Sequence, residues 1–227
     1  QEILNKSKFS ELVERGEIDT SISVHGSARF RVNIFRQRGT YSIAFRHVKA
    51  VAPSFKELGL PENVLKNFCE LKRGMVIVTG PTGSGKSTTL ASMVREINNN
   101  RGCHIITLED PIEYLHRHNK SIVNQREIGT DSTTYTSALR AALRQDPDVI
   151  LIGEMRDLDS IQIALTAAET GHLVLSTLHT VSASQTIDRI IDVFPPHQQQ
   201  QIRIQLSMTL QGILAQQLIT NADGKGR

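Results

Sequence analysis

Hydrophobic and polar positions fall into two rhythms along this chain. Residues 18–46 keep a period of two. Ile18, Thr20, Ile22 and Val24 alternate with Asp19, Ser21 and Ser23. His25-Gly26 breaks the run, and Ala28, Phe30, Val32 and Ile34 then alternate with Arg29, Arg31 and Asn33. After Gln37-Arg38-Gly39, Tyr41, Ile43 and Phe45 alternate with Ser42, Ala44 and Arg46. Alternation punctuated by glycine turns predicts an antiparallel meander with one buried face. Ahead of it, Ile3, Leu4, Phe9, Leu12 and Val13 predict a helix over residues 1–15 that lacks a clear N-cap.

From Met75 onward the rhythm changes. Short apolar runs at Met75–Thr79, His104–Leu108, Val149–Ile152 and Leu173–Thr177 predict buried strands. Apolar positions at helical spacing predict helices over Ser87 to about Asn99, Tyr135–Arg144 and Leu158–Glu169. Pro61 suits the first turn of a further helix carrying Val64, Leu65, Phe68 and Leu71. Strands alternating with helices predict an α/β domain, a mostly parallel sheet with helices on both faces. The expected division is a partial N-terminal domain over 1–48, a linker over 49–58 around Ala52-Pro53-Ser54, and the α/β domain over 59–227.

In such sheets, ligands bind beyond the carboxyl ends of the strands. Beyond Met75–Thr79 stands Gly80-Pro81-Thr82-Gly83-Ser84-Gly85-Lys86-Ser87, which matches the phosphate-binding P-loop at every fixed position. The glycines let main-chain N–H groups curl around a polyphosphate, and the next helix turns its positive end toward the same anion. Lys86 is expected between the β- and γ-phosphates, and Ser87 on Mg²⁺. A turn that merely carries a lysine is the alternative. A strand before the loop and Leu90, Met93, Val94 and Ile97 at helical spacing after it argue against that.

The other strand ends carry acids and a histidine. Glu109-Asp110-Pro111-Ile112-Glu113 follows the second strand; one acid there is expected to polarise the attacking water and others to help hold Mg²⁺. Gly153-Glu154 follows four apolar residues, the Walker B pattern, and puts Glu154 on Mg²⁺ through water or on the nucleophilic water. His179 lies beyond the fourth strand and His172 at its start. Guanidinium groups often complete such sites, so Arg29, Arg31, Arg36, Arg38, Arg46 and Arg189 are candidates.

Composition narrows the class little. The 227 residues carry a formal charge of +3, 39% hydrophobic and 22% charged side chains, the profile of an ordinary globular chain. No apolar run approaches the ~20 residues that span a bilayer. Cys69 and Cys103 stand apart with no CxxC pair, which excludes a zinc ribbon and fits a reducing compartment.

Four stretches together resemble one family. Gly80–Thr88, Ile106–Tyr114, Ile152–Leu158 and Glu169–Thr180 look like the Walker A, Asp box, Walker B and His box of the secretion ATPases. Gly153-Glu154-Met155-Arg156-Asp157-Leu158 and Asp188–Pro196 are most similar to the type IV pilus retraction ATPases, the PilT family. The resemblance covers roughly residues 18 to 220. It implies a PAS-like N-terminal domain, here partial, and a RecA-like ATPase domain assembled into homo-hexameric rings. It implies Mg²⁺-dependent ATP hydrolysis at the cytoplasmic face of the inner membrane, with the pilus platform protein and pilus machinery as partners and no nucleic acid. By the same resemblance Glu113, Glu154, Lys86, His179 and Arg189 become catalytic. Gly80–Thr88, Arg31 and Arg46 become nucleotide-binding, and Ser87, Glu154 and Glu109 become the Mg²⁺ set. It further implies that the first part of the N-terminal domain and the C-terminal helices are missing, and Gln1 is not expected to be a native start. Assembly ATPases of this superfamily carry a tetracysteine site that two cysteines cannot supply. The remaining alternatives are a pilus assembly or type II secretion ATPase, a nucleic-acid translocase on the same core, or a nucleotide-binding regulator without turnover. Aromatics at 4% and no Trp give a translocase few stacking platforms.

Overall fold

The computed structural model describes residues 4–24 and 28–222. Contacts divide the chain into two units: Gln1–Val51 with Glu113–Leu115, and Ala52–Ile112 with His116–Arg227.

The first unit holds α1 (Lys6–Arg15), β1 (Glu17–Val24), β2 (Ala28–Gln37) and β3 (Thr40–Val48). Helix α1 does have an N-cap, which the sequence reading did not find. Asn5 stands in extended conformation and its side chain accepts from the Lys8 N–H at 2.9 Å. The strands form the expected antiparallel meander in the order β1-β2-β3. Arg38 (φ 48°) and Gly39 (φ 80°) close the β2–β3 hairpin, the two-residue turn whose twist matches the strands. The His25-Gly26 turn lies outside the described residues.

The buried face is narrower than alternation predicts. Leu12, Ile18, Val32 and Ile34 form the small core. Tyr41, Ile43 and Phe45 sit in register with Arg36, Ile34 and Val32, yet are 43%, 43% and 56% exposed. A single helix is about 10 Å across and strands are about 4.8 Å apart, so α1 covers two strands and leaves the third open.

The second unit runs α2 (Glu62–Glu70), β4 (Gly74–Thr79), α3 (Lys86–Asn100), β5 (His104–Glu109), β6 (Ile122–Glu127), α4 (Tyr135–Ala142), β7 (Val149–Ile152), α5 (Leu158–Glu169), β8 (Leu173–Leu178), α6 (Ala183–Asp192), α7 (Pro196–Thr209) and β9 (Leu210–Ala215). Its sheet has the order β6-β5-β7-β8-β4-β9, and every described pairing is parallel. The four predicted strands are its centre. β4, β7 and β8 are buried at every position, because both faces are covered.

Pleat alternation sorts their side chains between two cores. Met75, Ile77, Ile106, Leu108, Ile150, Ile152 and Val174 face one way, with Leu139 of α4, Leu165 of α5, Ile190 of α6 and Leu206 of α7. Val76, Val78, Ile105, Val149, Leu151 and Leu175 face the other, with Leu65 of α2 and Leu90, Met93 and Val94 of α3. Each such side chain contributes about 1.5–3 kcal/mol by leaving water. Helices α4 and α5 begin at capping boxes: Thr134 with Ser137, and Asp157 with Ser160. The parallel sheet brings the carboxyl ends of β4, β5, β7 and β8 to one edge.

Candidate functional site

The P-loop joins β4 to α3. Gly80, Gly83 and Gly85 all adopt positive φ, at 146°, 79° and 91°. Those conformations give the loop the tight curl that an amide concavity for an anion requires at the start of α3, with the Ser84 N–H donating within it to the Pro81 carbonyl at 3.2 Å. Lys86 opens the helix and is only 7% exposed. Its ammonium donates to the carbonyls of Gly80 at 2.9 Å and Pro81 at 3.0 Å. The Ser84 hydroxyl is buried and has no hydrogen-bond partner among the described residues. A buried orphan hydroxyl inside a curl of amides suits an anionic ligand, which would accept the bonds the protein leaves unmade. Ser87 is exposed on the first turn of α3.

Two strands away, β7 ends at Gly153-Glu154. Glu154 is 9% exposed, and its carboxylate is engaged on both oxygens. Arg156 Nη2 lies 2.5 Å from Oε1, and His179 Nε2 lies 3.4 Å from Oε2. Position 153 has no room for a side chain. A Cβ there would stand 2.9 Å from the Tyr135 hydroxyl and 3.2 Å from the Leu108 carbonyl. Burial, followed by the nearby Glu154, Asp110 and Glu109 carboxylates, raises the Tyr135 pKa, so the phenol stays neutral. Asp157, within the same motif, serves α5 as its cap and accepts from the Ser160 N–H at 2.8 Å.

His179 and Thr180 follow β8. Thr180 reaches β4: its N–H donates to Thr79 Oγ1 at 3.1 Å, and the two hydroxyls lie 2.7 Å apart. Thr180 Oγ1 is also 2.6 Å from the buried Thr186 hydroxyl of α6. A cavity of about 420 Å³ opens here, lined by Glu154, Arg156, His179, Thr180 and Arg189 over an apolar floor that includes Met155 and Leu178. His172 sits at the opposite end of β8. Its Nδ1 lies 2.9 Å from the Ala167 carbonyl, and its own carbonyl accepts from the Gly74 N–H at 3.0 Å.

The remaining candidates divide between the units. Glu109, at the end of β5, accepts from Thr107 Oγ1 at 2.6 Å and Gln125 Nε2 at 3.2 Å. Glu113 is exposed and belongs to the first unit, where its neighbour Tyr114 bridges to Lys49. Arg31 and Arg46 lie in that unit too, directly opposite one another in the β2–β3 register. Arg156, Tyr135 and Thr180 had no role in the sequence reading. Arg156 follows Glu154 closely enough to be suspected; Tyr135 opens α4 and Thr180 follows β8, and only the fold reveals them.

Among the described residues no group of three or more His, Cys, Asp or Glu side chains could hold a metal ion. A magnesium ion needs no such cage, since it keeps several waters and takes one or two protein ligands plus substrate phosphates. Ser87 beside the loop and Glu154 fit that modest demand.

Fold and site together define a P-loop α/β protein whose acid-bearing strand β7 is separated from the P-loop strand β4 by β8. The chain belongs to the family described as type II/IV secretion system protein, whose sequence model matches residues 11–227. It is 50% identical over 223 residues to the type IV pilus retraction ATPase PilT of Pseudomonas aeruginosa, covering 98% of this chain and 64% of that protein. It is 49% identical over 211 residues to a twitching motility protein of Neisseria gonorrhoeae, covering 93% of this chain and 56% of the other. A crystal structure of the pilus retraction motor PilT with bound ADP superposes with a TM-score of 0.95 at 55% identity, covering 100% of this chain and 65% of that one. The chain thus spans between half and two thirds of the length of these relatives. Among the described residues, no helix is long and apolar enough to cross a membrane.

Proposed function

We propose that this chain is the nucleotide-hydrolysing part of a hexameric type IV pilus retraction motor. One observation carries the nucleotide reading: the glycine curl at Gly80–Gly85 with the buried Lys86 ammonium folded onto its carbonyls. Hydrolysis is supported by Glu154, a buried carboxylate at the carboxyl end of β7 on the same edge of the sheet, and the retraction assignment by the names and identities of the relatives.

In this reading the main-chain N–H groups of residues 83–88 and the Lys86 ammonium would bind the phosphates, and the Ser87 hydroxyl would help hold Mg²⁺. Bound Mg²⁺–ATP supplies a phosphoryl group whose charge the cation partly neutralises. Glu154 orients the water and takes up its proton, released for that role when Arg156 and His179 exchange partners. Glu109, held by Thr107 and Gln125, would be a further residue to help hold Mg²⁺. Arg189 brings positive charge to the same cavity. Glu113 is proposed as an acid–base group and Arg31 and Arg46 as phosphate-binding groups, and neighbouring subunits complete the ring. The motor works in the cytoplasm, attached to the inner membrane through the pilus machinery.

The test is phosphate release from Mg²⁺–ATP against protein concentration, with and without single-stranded DNA. Specific activity that rises with concentration and ignores DNA is the expected result. Stimulation by DNA of severalfold would replace the motor with a translocase. Lys86→Ala should weaken ADP binding at least 100-fold. Glu154→Gln should bind ADP normally and lose at least 100-fold in turnover. Wild-type turnover in Glu154→Gln would overturn its assignment.

A further inference from the structure

The P-loop is braced from outside its own strand and helix. Gln216 is the residue after β9, on the far side of β4. Its N–H donates to the Thr79 carbonyl at 2.8 Å, carrying the β4–β9 pairing to the last residue before the loop. Its carbonyl oxygen stands 2.1 Å from where a Cβ at position 80 would lie, so only glycine fits there. Its side-chain Nε2 stands 3.2 Å from the corresponding point at position 85. Its Oε1 accepts from the Thr89 hydroxyl at 2.9 Å, and Thr89 is fully buried in the first turns of α3. One residue therefore stands close against both ends of the loop and bonds to the strand before it and the helix after it.

We infer that Gln216 is a positioning residue for the nucleotide phosphates. An amide concavity binds an anion well only when its N–H groups already converge; otherwise ordering the loop consumes binding energy. Three glycines at positive φ make this loop costly to order, because glycine has the most backbone freedom to lose. Gln216 removes part of that cost by tying residues 79 and 89, on either side of the loop, into one arrangement before the ligand arrives. It needs no contact with phosphate to do so. The main-chain bond to Thr79 survives any substitution, so side-chain variants isolate the tie to Thr89.

This inference rests on the proposal that the loop binds a nucleoside polyphosphate. It is tested with ADP and Mg²⁺ by calorimetric titration of the full chain, alongside its melting temperature without nucleotide. Gln216→Ala should weaken ADP five- to tenfold. Thr89→Val removes the donor at constant shape and should weaken ADP by a similar factor. The double variant should be no worse than either single one, because both remove the same tie. Gln216→Glu keeps an acceptor for Thr89 but places negative charge beside the loop, so it should weaken ADP more than Gln216→Ala, with the excess fading at high salt. A purely structural role would lower the melting temperature and leave ADP affinity unchanged. Gln216→Ala and Thr89→Val both binding ADP within twofold of wild type would overturn the inference while leaving the nucleotide reading intact. Wild-type chain that fails to bind ADP would overturn both. If Gln216→Ala does not fold, Thr89→Val alone decides.

Discussion

Strand β8 has a histidine just beyond each end, and the two keep different company. His172, at the amino end, spends its ring and main chain on Ala167 in the last turn of α5 and on Gly74, the first residue of β4. His179, at the carboxyl end, is exposed and reaches a buried carboxylate on the next strand. The strand is buried throughout, so neither difference comes from the strand itself. It comes from the sheet's polarity. A parallel sheet collects all amino ends on one edge, where short local bonds satisfy each residue. It collects all carboxyl ends on the other, where the P-loop follows β4 and where Glu154 and His179, from separate parts of the chain, meet.

Substituting the two histidines breaks or sharpens that contrast. His179→Ala should cut turnover at saturating ATP more than tenfold and leave the melting temperature within about 2 °C, since an exposed ring adds little to stability. His172→Ala should lower the melting temperature by about 2–4 °C, the effect of about 1 kcal/mol in a chain of this length, with ADP affinity within twofold. Calorimetry and phosphate release on both variants decide it. A His172→Ala chain that melts normally but loses ADP would mean that the two edges are not separated as argued.

The parts legible in the sequence share one physical property, that a single local rule decides them. The strands Met75–Thr79 and Val149–Ile152 are continuous apolar runs because helices cover both faces, and the P-loop advertises its glycines. The parts that escaped are set by neighbours. Strand β6 reads Ile122-Val123-Asn124-Gln125-Arg126-Glu127, mostly polar, because it stands at the sheet edge with β5 on one side only. Helix α7 contains the glutamine run, which gives no apolar period, yet Ile202 and Leu206 bury one side of it. Asn5, Thr134 and Asp157 act as caps, roles visible only when the helix start is known. In the site, Glu154 was legible from its motif, while Tyr135, Thr180 and Gln216 reach the site from elements far along the chain.

A third histidine shows that a shifted pKa need not mark the carboxyl edge. His116 lies between β5 and β6, where burial lowers its pKa from 6.5 to about 4. Folded, the ring stays neutral down to about that pH. Unfolded, it takes a proton below 6.5. The unfolded chain thus holds the extra proton between those values, and stability falls as pH drops from 6.5 toward 4, then levels off. At about 1.4 kcal/mol per unit, the loss reaches at most roughly 3 kcal/mol. Urea midpoints at pH 7 and pH 5 measure it, and His116→Gln should flatten the difference. A variant with the wild-type pH slope would move the effect to another group.

The smallest expected effect concerns the two thiols, where the same sorting by burial appears without any site. Cys69 points into the core beneath α2 and α3, is 3% exposed, and lies 3.7 Å from the Met93 carbonyl. Burial is the main force pushing its pKa up to about 12, so almost none of it is thiolate near neutral pH. Cys103, just before β5, is only partly buried, its sulfur 3.2 Å from the hydroxyl of Ser121, just before β6. With a thiol-exchange reagent at pH 8, the native chain should release one equivalent readily and the second only on unfolding. Cys103→Ser should remove the first, and Cys69→Ala the second. Since the thiolate is the reacting form, a fast native reaction at Cys69 would require that core to open on the timescale of the assay. The helices α2 and α3 would then be among the least stable parts of the unit, although they cover the strand that leads into the P-loop.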